Sequence, residues 1–144
     1  METSLKFLQT NFVDLIQIHG LSNRDDLERI ASAGGVLAAI RELKKQKVAR
    51  FIGITGENDG AAMAEVLRRY DVDRVLMALN AAQSANPIAL RKMELIPAFE
   101  GAALPVALQK NLGILSMKTM GQGMLVGNGA GRASLAELLQ FNLT

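Results

Sequence analysis

Short apolar runs of strand length alternate with amphipathic stretches along most of the chain. Four segments are typical of strands, because β-branched and other apolar residues are nearly continuous in them. They are Val13–Ile18 within the stretch Asn11–Gly20, Phe51–Ile54 within Val48–Thr55, Val75–Leu79 and Ile114–Met117. The near-continuous apolar run at Val13–Ile18 predicts a strand covered on both faces. Gly20 is expected to end it just after His19, the only histidine.

Helical periodicity fills most of the segments between these strands. The predicted helices are the last turns of one at Leu5–Thr10, a short one after Asn23, Val36–Lys47, one through Met63 and Tyr70 with Asn58 or Asp59 as N-cap, about Glu100–Lys110, and one opened by the capping box Ser134–Glu137. Pro105 predicts a later start for its helix, because proline lacks the N–H that a helix interior needs. The long connection from Ala81 to Ala98 predicts irregular structure, with one helical turn near Leu90–Met93.

Strict alternation of strands and helices predicts a parallel sheet with right-handed crossovers. Two α/β architectures satisfy this pattern: a small open doubly wound sheet, and about four consecutive strand-helix units of a (β/α)8 TIM barrel. The pattern alone does not choose between them. In both, His19, Thr55, Asn80 and Lys118 stand at the carboxyl ends of strands, where such folds place their chemistry.

Composition indicates one globular domain over residues 1–144, since 49% of the residues are hydrophobic. The formal net charge of +2 gives no electrostatic footprint for nucleic acid. The absence of cysteine excludes disulfides and thiolate metal ligands within this sequence, and we predict no metal site. No apolar run is long enough to cross a bilayer, so we expect no membrane association, and the lack of cysteine leads us to expect a cytoplasmic location.

Three segments in register carry a resemblance to a known family. They are Ser4–Thr10 followed by Val13–Gly20, then Leu37–Ile54, and then Leu104–Pro105 with Gly113–Lys118, Gly121 and Gly123. These segments resemble the aldo/keto reductase superfamily, and the last resembles its branch with a Met-Lys pattern at the seventh strand. The resemblance implies a partial TIM barrel that covers about the fourth to seventh strands.

The family resemblance implies an oxidoreductase that transfers hydride between NADP(H) or NAD(H) and a small-molecule carbonyl. It places His19 in the catalytic group, where an imidazole orients and polarises the carbonyl. The acid tyrosine and its aspartate and lysine partners have no counterpart in this sequence, and Tyr70 is expected to pack on its helix. We therefore expect the chain alone to be inactive. The alternative is a non-catalytic nucleotide-binding or interaction module of the same fold.

The resemblance also implies cofactor-binding residues. Thr55 and Gly56 take the place of a Ser-Asn pair that holds the nicotinamide amide, and Met117 takes the place of a stacking aromatic. Asn80 is expected in the pocket. Lys118, Gly121 and Gly123 suggest a phosphate site, because a cation and open N–H groups suit an anion; a flexible glycine-rich connector is the alternative. Exposed edges of a partial sheet predict self-association.

Overall fold

The computed structural model describes residues 1–21, 23–83 and 98–143. The strands are β1 (Val13–Leu21), β2 (Ala49–Gly56), β3 (Arg74–Ala78) and β4 (Gly113–Met117). The helices are α1 (Glu2–Phe7), α2 (Arg24–Ala31), α3 (Val36–Lys45), α4 (Gly60–Arg69), α5 (Phe99–Gln109) and α6 (Leu135–Leu143), with a 3₁₀ turn at Gly121–Gly123. The helical turn predicted at Leu90–Met93 lies outside the described residues.

The four strands form one parallel sheet in the order β1-β2-β3-β4. Val13 pairs with Ala49, Gly53 with Arg74, and Arg74 with Gly113, so each strand lies beside the next one in sequence. A doubly wound sheet reverses its strand order at a switch point, whereas consecutive barrel units do not. The observed order therefore confirms the partial barrel and removes the open doubly wound alternative.

The core lies between one face of the sheet and the helices that cover it. Met63 and Leu67 of α4, Val75 and Met77 of β3, and Phe99 of α5 are all 0% exposed. The opposite face carries Arg74, whose guanidinium carbon lies 4.7 Å from the centre of the Phe51 ring. The helix layer thus holds the sheet in place. Because the four strands are parallel, their carboxyl ends all lie at one edge of the sheet.

Two features of β1 correct the sequence prediction. Most of its residues are only half-buried, because β1 is an outer strand of the described sheet and has one neighbour. Gly20 does not end the strand, which continues to Leu21. Gly20 has φ +78°, and the pairing with β2 shifts in register between Ile18 and Leu21. A glycine in this conformation produces an irregularity in the strand rather than its end.

Pro105 lies in the interior of α5, whereas the sequence pattern predicted it in the first turn. The helix begins at Phe99, before the predicted start. Pro105 and Gly101, whose carbonyl loses its usual donor, are both exposed, so water can bond to that carbonyl. The cost of an interior proline is therefore reduced at this position.

Local capping signals agree with the structure. The Asp59 carboxylate caps α4 by accepting bonds from the N–H groups of Ala61 and Ala62, both at 2.9 Å. The Ser134 hydroxyl bonds to Glu137, and the Glu137 carboxylate accepts the Ser134 N–H at 2.8 Å, which is the predicted capping box. Tyr70 follows α4 as an extended C-cap residue and packs against the core.

Candidate functional site

The predicted site residues share the carboxyl-terminal edge of the sheet, because all four strands are parallel. His19 and Thr55 lie near the ends of β1 and β2, whereas Asn80 and Lys118 follow β3 and β4. Their environments differ: His19 is exposed, Thr55 is 5% exposed and Asn80 is 1% exposed. Lys118 keeps 14% of its side chain exposed. The shared edge therefore has accessible groups beside buried ones.

His19 borders a cavity of about 440 Å³ at the outer side of β1. Its lining combines polar and charged residues, among them Gln17, Asp26 and Arg29, with apolar residues of β1, α2 and the start of α3. The His19 imidazole has no hydrogen bond or ion pair with another described residue. It is thus available to donate a hydrogen bond to a molecule in this cavity. Thr55, Asn80 and Lys118 do not line the cavity.

Thr55 joins β2 to the irregular end of β1. Its Oγ1 accepts a hydrogen bond from the Gly20 N–H at 2.9 Å. The register shift at Gly20 takes this N–H out of the regular ladder, and the hydroxyl supplies the acceptor. The Thr55 hydroxyl hydrogen remains able to donate to a further acceptor.

Gly56 faces the helix layer rather than an open site. A Cβ at this position would overlap Met63 Cε and lie 3.5 Å from Phe99 Cε1, both in the buried core. The asparagine that the family resemblance leads one to expect at this position would therefore clash with core side chains. Gly56 offers at most its backbone to a ligand.

Asn80 shapes the turn that follows β3. Its N–H donates to Glu100 Oε1 at 2.9 Å, and its own Oδ1 accepts the Ala82 N–H at 3.2 Å. The side chain is 1% exposed. These contacts assign Asn80 a structural part in connecting β3 to α5.

An ion pair spans the ends of β2 and β4. Lys118 Nζ lies 3.0 Å from Glu57 Oε2, although β3 separates the two strands. Lys118 has φ +57°, a left-handed conformation that is uncommon for a residue with a side chain. Glu57 was not predictable from the sequence, because no local pattern links an acid after one strand to a lysine two strands away.

The glycine-rich loop after Lys118 is internally hydrogen-bonded. The Gly121 N–H donates to the Lys118 carbonyl at 2.8 Å, and the Gly123 N–H donates to the Met120 carbonyl at 2.9 Å. These two donors are therefore engaged within the chain. The N–H groups of Thr119 and Met120 donate to no other described residue, so they are the open donors in this turn.

The remaining part of the loop closes on itself. The Gly127 N–H donates to the Ala133 carbonyl at 3.1 Å, and the Ala133 N–H donates to the Leu125 carbonyl at 2.8 Å. Met117, at the end of β4, is half-buried and packs against the core.

Within residues 1–21, 23–83 and 98–143, no cluster of three side chains could hold a metal ion. None of the helices described is long and apolar enough to cross a membrane.

Comparison with solved structures identifies the same fold in aldo-keto reductases. The chain is similar to one from Bacillus halodurans in its holo form, with TM-score 0.60 and 20% identity, over 96% of this chain and 43% of that one. The apo form gives TM-score 0.54 and 18% identity, over 99% and 45%. An aldo/keto reductase of Brucella melitensis gives TM-score 0.51 and 18% identity, over 84% and 40%.

These comparisons bear on fold. The chain has the fold of part of an aldo-keto reductase barrel and spans less than half the length of the solved structures it matches. No protein-family model matches the chain, and no curated protein matches it.

Proposed function

We propose that this chain forms part of an NAD(P)H-dependent aldo/keto reductase, which reduces a small-molecule carbonyl by hydride transfer. The observation that carries the proposal is the unpaired imidazole of His19, which lies near the carboxyl end of β1 and borders a cavity at the outer side of that strand. Barrel enzymes form their active sites at this edge. The shared fold with aldo-keto reductases assigns the reaction class by analogy.

His19 is proposed to orient the substrate. A neutral imidazole can donate a hydrogen bond to a carbonyl oxygen, which holds the carbonyl in place and stabilises the negative charge that develops on that oxygen. The reduced nicotinamide, when bound, supplies the hydride. The exposed position of His19 allows this contact without breaking a hydrogen bond to another described residue.

The end of β4 fits the anionic part of a dinucleotide. Lys118 supplies a cation, and the open N–H groups of Thr119 and Met120 supply two donors. Such groups hold phosphates in many proteins. NADP(H) and NAD(H) share the pyrophosphate, so these residues suit both.

We propose that the tyrosine which acts as the general acid in this family lies on strands other than β1–β4. Tyr70 is the one tyrosine in the sequence and follows α4 at the amino-terminal edge of the sheet, opposite to His19. We therefore expect this chain alone to bind the cofactor without reducing carbonyls at an enzymatic rate.

The test is a fluorescence titration of the purified chain with NADPH and NADH, followed by assays with a panel of aldehydes and ketones. Binding of either cofactor is expected, with Lys118→Met weakening it by about tenfold or more because a charge-assisted contact is lost. The fold of each variant is checked by circular dichroism. Absence of binding to both cofactors refutes the proposal. Carbonyl reduction by the chain alone, unchanged in His19→Ala, refutes the assigned roles.

A second candidate is a non-catalytic nucleotide-binding or interaction module. It is favoured by the end of β2, where the Thr55 hydroxyl already accepts the Gly20 N–H and Gly56 has no side chain to hold a nicotinamide amide. Cofactor binding without hydride transfer, even when a segment that supplies the acid tyrosine is joined to this chain, favours the module.

We also propose that copies of this chain associate through the outer strands. On the β4 side, Leu115 is 40% exposed, Leu139 is 49% exposed and Leu143 is 86% exposed. Open strand edges beside apolar side chains favour pairing. Light scattering should detect dimers or larger species, and Leu139→Glu with Leu143→Glu should reduce them. A monomer at all accessible concentrations contradicts this proposal.

A further inference from the structure

We propose that Glu57 is an intramolecular competitor for the anion site at Lys118. The Glu57 carboxylate pairs with the Lys118 ammonium, and an anion must displace this carboxylate in order to bind. That the anion is the pyrophosphate of a dinucleotide rests on the proposed function. The competition itself rests on the contacts of Glu57 and Lys118.

Among the residues that the structure describes, Glu57 has none of the backbone N–H partners that hold Asp59 and Asp73. The Asp59 carboxylate accepts two backbone N–H groups, and Asp73 accepts the Ile52 N–H in addition to Lys44. Among the described residues, Glu57 has only its ion pair with Lys118, and 38% of its side chain is exposed. The Glu57 carboxylate is partly exposed and can turn into water, and the incoming anion takes its place beside the largely buried ammonium, so that the charge of Lys118 keeps a partner.

Lys118, by contrast, is held in place. It follows β4 directly, its side chain is only 14% exposed, and its carbonyl accepts the Gly121 N–H at 2.8 Å. Its left-handed backbone is of the kind that functional sites retain at some energetic cost. The adjacent N–H groups of Thr119 and Met120 have no partner among the described residues. Displacing Glu57 would therefore leave a fixed cation beside open donors, which suits a phosphate group.

Glu57→Gln separates this competition from a purely structural ion pair. The amide keeps the size of the side chain but removes the charge that neutralises Lys118 and repels an incoming anion. We expect inorganic pyrophosphate to bind Glu57→Gln about five- to tenfold more tightly than the unmodified chain, because the anion no longer has to displace a carboxylate from Lys118. The matched control is Glu28→Gln, which removes the same charge from an exposed carboxylate of α2 that pairs with Arg69.

The experiment is isothermal titration calorimetry of the whole chain with pyrophosphate and, separately, with NADPH. Glu28→Gln should bind as the unmodified chain does. Glu57→Gln with Lys118→Met should lose the gain, and Glu57→Gln with Lys118→Arg should keep most of it. Circular dichroism confirms that each variant is folded.

The two probes distinguish this inference from the proposed function. Equal pyrophosphate affinity for Glu57→Gln and the unmodified chain, or no pyrophosphate binding to Glu57→Gln, overturns the inference whatever NADPH does. A gain in pyrophosphate affinity that depends on residue 118 supports it. If NADPH then binds no more tightly than pyrophosphate, the competition stands while the assignment of a nicotinamide cofactor fails.

Discussion

Replacing Asp73 by asparagine should destabilise the amino-terminal edge of the sheet. Asp73 directly precedes β3, and its carboxylate accepts bonds from Lys44 Nζ at 2.7 and 2.6 Å and from the Ile52 N–H at 2.8 Å. One side chain thus connects the end of α3, the middle of β2 and the start of β3. The Asp73→Asn variant keeps the shape and removes the charge.

The size of the effect follows from these contacts. A hydrogen bond to a charged group contributes about 1.5–3 kcal/mol, so replacing the carboxylate that accepts the Ile52 N–H by a neutral amide should cost roughly 1–1.5 kcal/mol. The Lys44 and Asp73 side chains are 41% and 26% exposed, so their ion pair adds only about 0.5–1 kcal/mol. We expect the free energy of unfolding to fall by about 2 kcal/mol at neutral pH.

The loss should depend on pH. Burial acts to raise the pKa of Asp73, but the Ile52 N–H and the Lys44 ammonium outweigh it and hold this pKa below its ordinary value of 3.8. A carboxyl with a lowered pKa stabilises the fold above its unfolded-state pKa, and this contribution is lost as the pH falls through the folded-state pKa. The difference between Asp73→Asn and the unmodified chain should therefore be full at neutral pH and shrink below 3.8.

Urea denaturation followed by circular dichroism measures this difference. The matched control is Asp71→Asn, since Asp71 is 98% exposed and lies 3.4 Å from Lys110 Nζ. That variant should lose less than about 0.5 kcal/mol. Equal stability of the two variants at neutral pH, or a difference that persists unchanged below the ordinary aspartate pKa, would refute the reasoning.

Three further substitutions test packing and capping. Gly56→Ala should cost about 1 kcal/mol in urea denaturation, at the low end for an overpacked core, because its Cβ would overlap the terminal methyl of the buried Met63 side chain, which must shift. Gly101→Ala should instead stabilise by about 0.5–1 kcal/mol, since a Cβ meets nothing within 4 Å in this exposed helical position; a loss of stability would contradict the packing described for α5. Ser134→Ala should raise the pKa of Glu137, which the Ser134 hydroxyl and N–H hold below its ordinary value of 4.5; an NMR titration that shows no rise would contradict the capping box.

Signals confined to one turn of the chain predicted the structure well. The caps at Asp59 and Ser134–Glu137 depend on side chains and N–H groups two or three residues apart, so the sequence alone specifies them. The position of Pro105 was harder to predict. The cost of a proline inside a helix depends on whether the freed carbonyl reaches water, and only the packed structure determines that exposure.

The candidate site was likewise predictable from the sequence only in part. Alternating strands and helices place His19 and Lys118 at strand ends, and a parallel sheet brings those ends to one edge. The partner of Lys118 could not be predicted, because Glu57 follows a strand that is not adjacent to β4. The engagement of the Gly121 and Gly123 N–H groups also depends on how the loop folds back on itself.

The sequence by itself determined the elements, the parallel sheet and the edge at which chemistry-bearing side chains collect, because these follow from periodicity and from the handedness of crossovers. The tertiary structure decided which groups are free. It leaves the His19 imidazole beside a cavity, pairs Lys118 with Glu57, and turns position 56 toward the core. Such outcomes depend on contacts between residues distant in sequence, which no local pattern encodes.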